Sequence, residues 1–80
     1  MMHVVVSVKT DMGNENFVLD ALQKLGMHIS SIIEKRAGVE ILAEIQTENP
    51  DDLIYNKLYK IKQIKKIFAK VLKENKMLYA

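Results

Sequence analysis

Residues 2 to 9 alternate: Val4, Val6 and Val8 share one side, while Val5, Ser7 and Lys9 fall on the other. A period of two is the pattern of a strand with one strongly buried face, so a first strand is expected here. Thr10-Asp11-Met12-Gly13-Asn14 is turn chemistry. Phe17, Val18, Ala21, Leu22 and Leu25 then recur at helical spacing, with Asn14 placed to cap the helix, Glu15 in its first turn and Gly26 to stop it.

Two further alternating runs follow. Residues 27 to 35 set Met27, Ile29, Ser31 and Ile33 against His28, Ser30, Ile32 and Glu34, and residues 39 to 47 set Val39, Ile41, Ala43 and Ile45 against Glu40, Leu42, Glu44 and Gln46. The short Lys35-Arg36-Ala37-Gly38 turn between them predicts a hairpin. A second helix is announced by Asn49-Pro50-Asp51-Asp52, which combines a capping side chain, a proline where no amide hydrogen is needed, and carboxylates at the positive end of the helix dipole. Leu53, Ile54, Leu58 and Ile61 form its apolar stripe, and Tyr55 and Tyr59 stand one turn apart on a flank. Residues 64 to 73 resume alternation, with Ile67, Ala69 and Val71 opposed to Phe68, Lys70 and Leu72.

The order strand, helix, strand, strand, helix, strand predicts a single α+β domain over residues 1 to 80: a ferredoxin-like βαββαβ sandwich with a four-stranded antiparallel sheet and two helices on one face. The helix-facing side is then almost wholly aliphatic, made of Val4, Val6, Val8, Ile29, Ile33, Ile41, Ala43, Ile45, Ile67, Ala69 and Val71. The other side carries Val5, Ile32, Leu42, Phe68 and Leu72 among His3, Ser7, His28, Ser30, Glu40, Glu44 and Lys70. Apolar groups contiguous on an uncovered face mark an interface. Burying about 300 to 500 Å² of it per subunit is worth several kcal/mol at roughly 25 cal/mol per Å², before the cost of association. A homodimer or higher oligomer is therefore expected.

Composition narrows the class. Eighty residues at 49% hydrophobic and 28% charged make a globular chain near the lower size limit for a self-sufficient core, to which oligomerisation adds stability. With no cysteine there is neither a disulfide nor a thiolate site, which suits a cytoplasmic location. No apolar run spans a bilayer, and Met1-Met2-His3 is not the start of a signal peptide, so no membrane association is expected. The net charge of +2 is unevenly spread: from residue 53 onward eight lysines face the single acid Glu74, a net +7, whereas residues 1 to 52 carry −5. Such polarity steers anions or orients association.

Candidate chemistry is mostly negative. A metal-transfer domain needs cysteines on the first loop, and a base-stacking RNA reader needs aromatics on its central strands, which "HVVVSV" and "VEILAEI" do not offer; nucleic acid is not an expected partner. Arg36, the only arginine, sits in the hairpin turn rather than in a phosphate-cradling loop after the first strand. Ser30 and Ser31 share a strand with His28 instead of converging on it, so no catalytic residue and no enzyme activity are expected. His3, His28, Glu40 and Glu44 could face one another as metal ligands, but their spacing is not that of a metal site. Neither metal nor cofactor is expected.

The segment "DMGNENFVLDALQKLGMHISSI" resembles the start of an ACT domain, in which the first strand ends at an acidic residue and a glycine, a helix follows, and a second glycine leads into a strand of the pattern Gly-Ile-Asn-Ile. Gly13 matches the first glycine and Gly26-Met27-His28-Ile29 the second motif, while "DDLIYNKLYKIKQIKKIFAKV" is similar to the family's second helix and last strand. The likeness spans nearly the whole chain. It implies association and an amino-acid effector at the subunit interface, held by Asp11, Met12, Gly13, Asn14 and His28. Met12 stands where the family has proline, and His28 where it has asparagine. "GVEILAEIQTENPDDL" and "KLYKIKQIKKI" are also similar to the ligand-binding domain of Lrp/AsnC regulators, which shares the topology and associates through sheet faces. Both resemblances imply a regulatory module with itself, an effector and a partner enzyme or regulator as partners. The alternative is a ligand-free interaction module that docks a peptide on its open face or edge strand, as NapD-type chaperones of this topology do.

Overall fold

The structure, a computed structural model, describes residues 1 to 72. Lys73, Glu74 and Lys76 of the basic third lie outside them. Strand β1 spans Met2–Thr10, helix α1 Glu15–Lys24, β2 His28–Lys35, β3 Gly38–Thr47 and β4 Ile64–Leu72. Between β3 and β4 the chain is helical from Pro50, with π-helix over Asp52–Lys57 and a 3₁₀ turn over Leu58–Lys60. The strands form one antiparallel sheet in the order β2-β3-β1-β4. This is the ferredoxin-like α+β architecture that the alternation of patterns predicts.

Strand β1 lies in the interior of the sheet, and Val4, Val6 and Val8 are entirely buried. Val18 and Leu22 from α1 and Leu53, Ile54 and Leu58 from the second helical segment join them in one cluster with Val39, Ile41 and Ala43 of β3, so both helical segments cover the same sheet face. The end of α1 is closed by Gly26 N–H donating to the Gln23 carbonyl and Met27 N–H to that of Leu22, with the buried Met27 and Leu22 side chains flanking the turn. At the other end the expected cap is absent: Asn14 makes no side-chain capping bond, and its amide instead closes a turn onto the Asp11 carbonyl. Glu15 takes the capping role in part, accepting the Gly13 amide at 2.6 Å.

The second helical segment begins as its sequence predicts, with Asp52 N–H donating to Asn49 Oδ1 at 3.1 Å. Its π-form has a packing reason. Leu53 and Leu58 are five residues apart, which on an α-helix of 3.6 residues per turn sets them about 140° apart; wider i to i+5 turns bring both onto the sheet beside Ile54. Tyr55 and Tyr59 stack on the exposed flank with ring centroids 5.6 Å apart.

One strand departs from simple alternation. The pairing of β2 with β3 slips between Ile29 and Ser31, inserting Ser30 as a bulge. Before the bulge His28 faces Glu44 and Ile29 faces Ala43; after it, Ser31 faces Leu42, Ile32 faces Ile41 and Ile33 faces Glu40. Cross-strand partners share a face, so Ile32, expected on the open side, belongs to the helix side at an exposed edge, and Ile33 and Ser31, expected inward, turn outward. On β4, Ile67, Ala69 and Val71 do pair with Val8, Val6 and Val4 on the helix side, yet on this edge strand Ala69 is exposed and Val71 remains 41% exposed.

At the hairpin, Gly38 (φ +145°) presses so closely on β1 that a Cβ would stand 2.4 Å from the Thr10 carbonyl oxygen. Thr10 itself is buried and its hydroxyl donates to the Gln63 carbonyl at 2.7 Å, tying β1 to the turn before β4. Two substitutions test this packing by chemical denaturation. Leu22→Ala is expected to cost about 2 to 5 kcal/mol as a core cavity. Gly38→Ala is expected to cost more than about 1 kcal/mol, through the backbone clash and the positive φ.

Candidate functional site

The strand pairings arrange the open face in rows. From β2 to β4 they read His28, Glu44, Val5, Lys70; then Ser31, Leu42, Ser7, Phe68; then Ile33, Glu40, Lys9, Lys66; with Gln46, His3 and Leu72 at the Met2 end. No helical segment among the described residues covers it. Phe68 is 60% exposed and Leu72 and Ile33 each 40%, around the half-buried Val5 and Leu42. Four of the five apolar residues expected here, Val5, Leu42, Phe68 and Leu72, are thus on this face, and Ile33 replaces Ile32.

Polar groups on the face are organised around two glutamates of β3. Glu44 accepts from the Ser30 hydroxyl at 3.0 Å and is 2.6 Å from His3 Nε2. Glu40 accepts from the Ser7 hydroxyl and pairs with Lys35 Nζ at 2.8 Å. Both carboxyls are held below their ordinary range: Glu40 chiefly by the Lys35 ammonium and then Ser7, Glu44 chiefly by the Ser30 hydroxyl and then His3. Because Ser30 and His3 meet on one carboxylate rather than on each other, they do not form a nucleophile–base pair. Among the described residues no three His, Asp or Glu side chains gather as metal ligands. The bonded partners of Glu44 could not be read from the sequence. Ser30, the bulged residue next to the His28–Glu44 pair, reaches it along β2, and His3 reaches it diagonally from β1.

The residues expected to hold an effector form two separate groups. Asp11 to Asn14 make the loop beyond β1, where Asp11 Oδ1 is 3.2 Å from Lys65 Nζ, Met12 is exposed, and Gly13 (φ +97°) has open space where a Cβ would be. That φ is one that side-chain-bearing residues rarely adopt. His28 lies on the edge strand, in the row of Val5, six residues before Asp11 along the β1 direction. At about 3.3 Å per residue the two groups are about 20 Å apart along the strands, at opposite ends of the sheet. One copy of the chain does not bring them together.

A scan against family models finds no match for the chain, and a search of curated proteins finds none. No helix among the described residues is long and apolar enough to cross a membrane.

The lowered carboxyls fix a sign for acid behaviour. A native carboxyl that releases its proton more readily than the unfolded one adds stability that is complete above the ordinary value of 4.5 and is lost as pH falls through the native value. Thermal melts between about pH 6 and pH 3 are therefore expected to fall less steeply for the Glu40→Gln/Glu44→Gln variant than for the parent chain. An identical slope would mean that neither network exists in solution.

Proposed function

We propose that this chain is a small regulatory module that works by associating with a second copy of itself through the open sheet face, and that an amino-acid-like effector is taken up where subunits meet. The observation that carries the reading is the exposed apolar set Phe68, Leu72 and Ile33 around Val5 and Leu42, on the sheet face that no helical segment among the described residues covers. Sheets pack face to face about 10 Å apart.

The sheet edges favour this face over edge-strand docking. β2 is interrupted by the Ser30 bulge, and β4 carries Lys65, Lys66 and Lys70, both devices that discourage strand addition. The effector part of the reading rests on the resemblance to ACT and Lrp/AsnC domains and on the positions of Asp11, Met12, Gly13, Asn14 and His28. Their separation in one copy means that the second subunit has to complete any shared pocket. An effector that contacts both subunits favours the associated state by mass action. A partner enzyme or regulator would read that state.

Static light scattering at micromolar concentration is expected to give a mass above that of one chain, and Phe68→Asp to weaken association at least about tenfold while leaving the fold intact, since the ring is mostly exposed. Parent and variant both running as monomers would sink the proposal. Thermal shift with the twenty amino acids at millimolar concentration tests the effector: stabilisation by one of them is expected only at concentrations where the chain is associated, and no response to any of them removes the effector from the reading.

A further inference from the structure

Ile33, Glu40, Lys9 and Lys66 form the row that crosses the open face near its Thr10 end, so Lys9 and Lys66 are direct cross-strand partners of like charge. Like charges placed directly opposite destabilise a sheet. The acid in the row relieves them only in part: the Glu40 carboxylate is bonded to Lys35 and Ser7 and acts on Lys9 through space, without a direct ion pair. Lys9 Nζ rests 6.0 Å from the Phe68 ring centroid, and the Lys66 side chain has no hydrogen-bond or ion-pair partner among the described residues.

Beside this pair opens a cavity of about 440 Å³, into which Lys35 and Lys65 also face and whose lining includes Glu40 and the exposed Ala37. That volume is in the range of small-molecule sites, about 300 to 1,000 Å³. Of the four ammonium groups, Lys35 is paired with Glu40 and Lys65 with Asp11, which leaves Lys9 and Lys66 without a direct ion-pair partner among the described residues. A ligand with two negative charges restores neutrality. Phosphate monoesters carry about −1.5 to −2 near neutral pH, and lysine binds phosphate as a point charge without needing a fixed fork.

We propose that this cavity binds a small dianionic molecule of the phosphate-monoester class, its phosphate between Lys9 and Lys66 and its remaining part against Ala37. All of these groups belong to one copy, so the site does not depend on self-association or on the effector loop. The lysines converge on a cavity instead of tracking along a groove, and no series of aromatic platforms lies beside them, which favours a small molecule over a nucleic-acid strand.

The full chain, ¹⁵N-labelled, is titrated with phenyl phosphate and with inorganic phosphate at ionic strength held constant with chloride, and melting is followed in parallel. Saturable shifts at the Lys9, Gly38 and Lys66 amides and a rise in Tm are expected, with phenyl phosphate the tighter of the two. Lys66→Gln is expected to raise Tm in chloride alone, by removing the repulsion, and to weaken phenyl phosphate binding at least about tenfold. Lys60→Gln, an exposed change away from the cavity, is expected to do neither. Shifts that follow salt without saturating, equal weakening by Lys60→Gln, or retention of a single-stranded oligonucleotide with no response to either phosphate compound would each overturn the proposal.

Discussion

The burial of Val4, Val6 and Val8 is the constraint on which the rest of the molecule depends. These three side chains draw α1 and the second helical segment onto one face of the sheet, and these two short segments are the helical cover that the described residues provide. Alternation then obliges Val5, Ser7 and Lys9 to point the other way, together with every residue paired to them on β3 and β4. The open face is therefore a geometrical consequence of the core. Its composition is not dictated by the core, and placing Phe68, Leu72, Leu42 and Ile33 there has a different source.

The polar residues among those apolar groups do two things. Glu40 and Glu44 each gather a hydroxyl and a basic group, so the carboxylates on β3 are held in place instead of being free to solvate the face around them. Fixed polar side chains beside exposed apolar ones suit an interface that must keep its register, because little side-chain freedom is left to lose on association. At the Thr10 end the balance changes sign. There Lys9 and Lys66 face each other with no direct ion-pair partner among the described residues, which separates the charged cavity from the apolar centre of the same face.

Much of the architecture was legible in the pattern of residues. Strict alternation at Val4, Val6 and Val8, the Asn49-Pro50 helix start and the glycine in the hairpin turn each act locally, and each led to the element observed. The Ser30 bulge was not legible. Ser30-Ser31 and Ile32-Ile33 are pairs of like residues, so a one-residue slip leaves the period-two pattern looking almost the same while exchanging Ile32 with Ile33. The Asn14 cap failed for a similar reason: Glu15 competes for the amides of the same turn, and sequence spacing does not show which wins. For the effector residues, chain order placed Gly13 and His28 at the two ends of one helix, which already sets them about 15 Å apart, and the parallel run of β1 and β2 keeps them at opposite ends of the sheet. The motif likeness alone does not show that separation.

The central claim, that a second copy occupies the open face, is tested most directly by isotope-filtered nuclear Overhauser spectra of an equimolar mixture of ¹³C,¹⁵N-labelled and unlabelled chains. Cross-peaks between copies are expected from the Phe68 ring and the Leu42, Leu72 and Ile33 methyls, with none from Val18 or Leu22. Intermolecular cross-peaks confined to the α1 surface or to the stacked Tyr55 and Tyr59 rings would contradict the account, as would their complete absence at concentrations where the chain is associated.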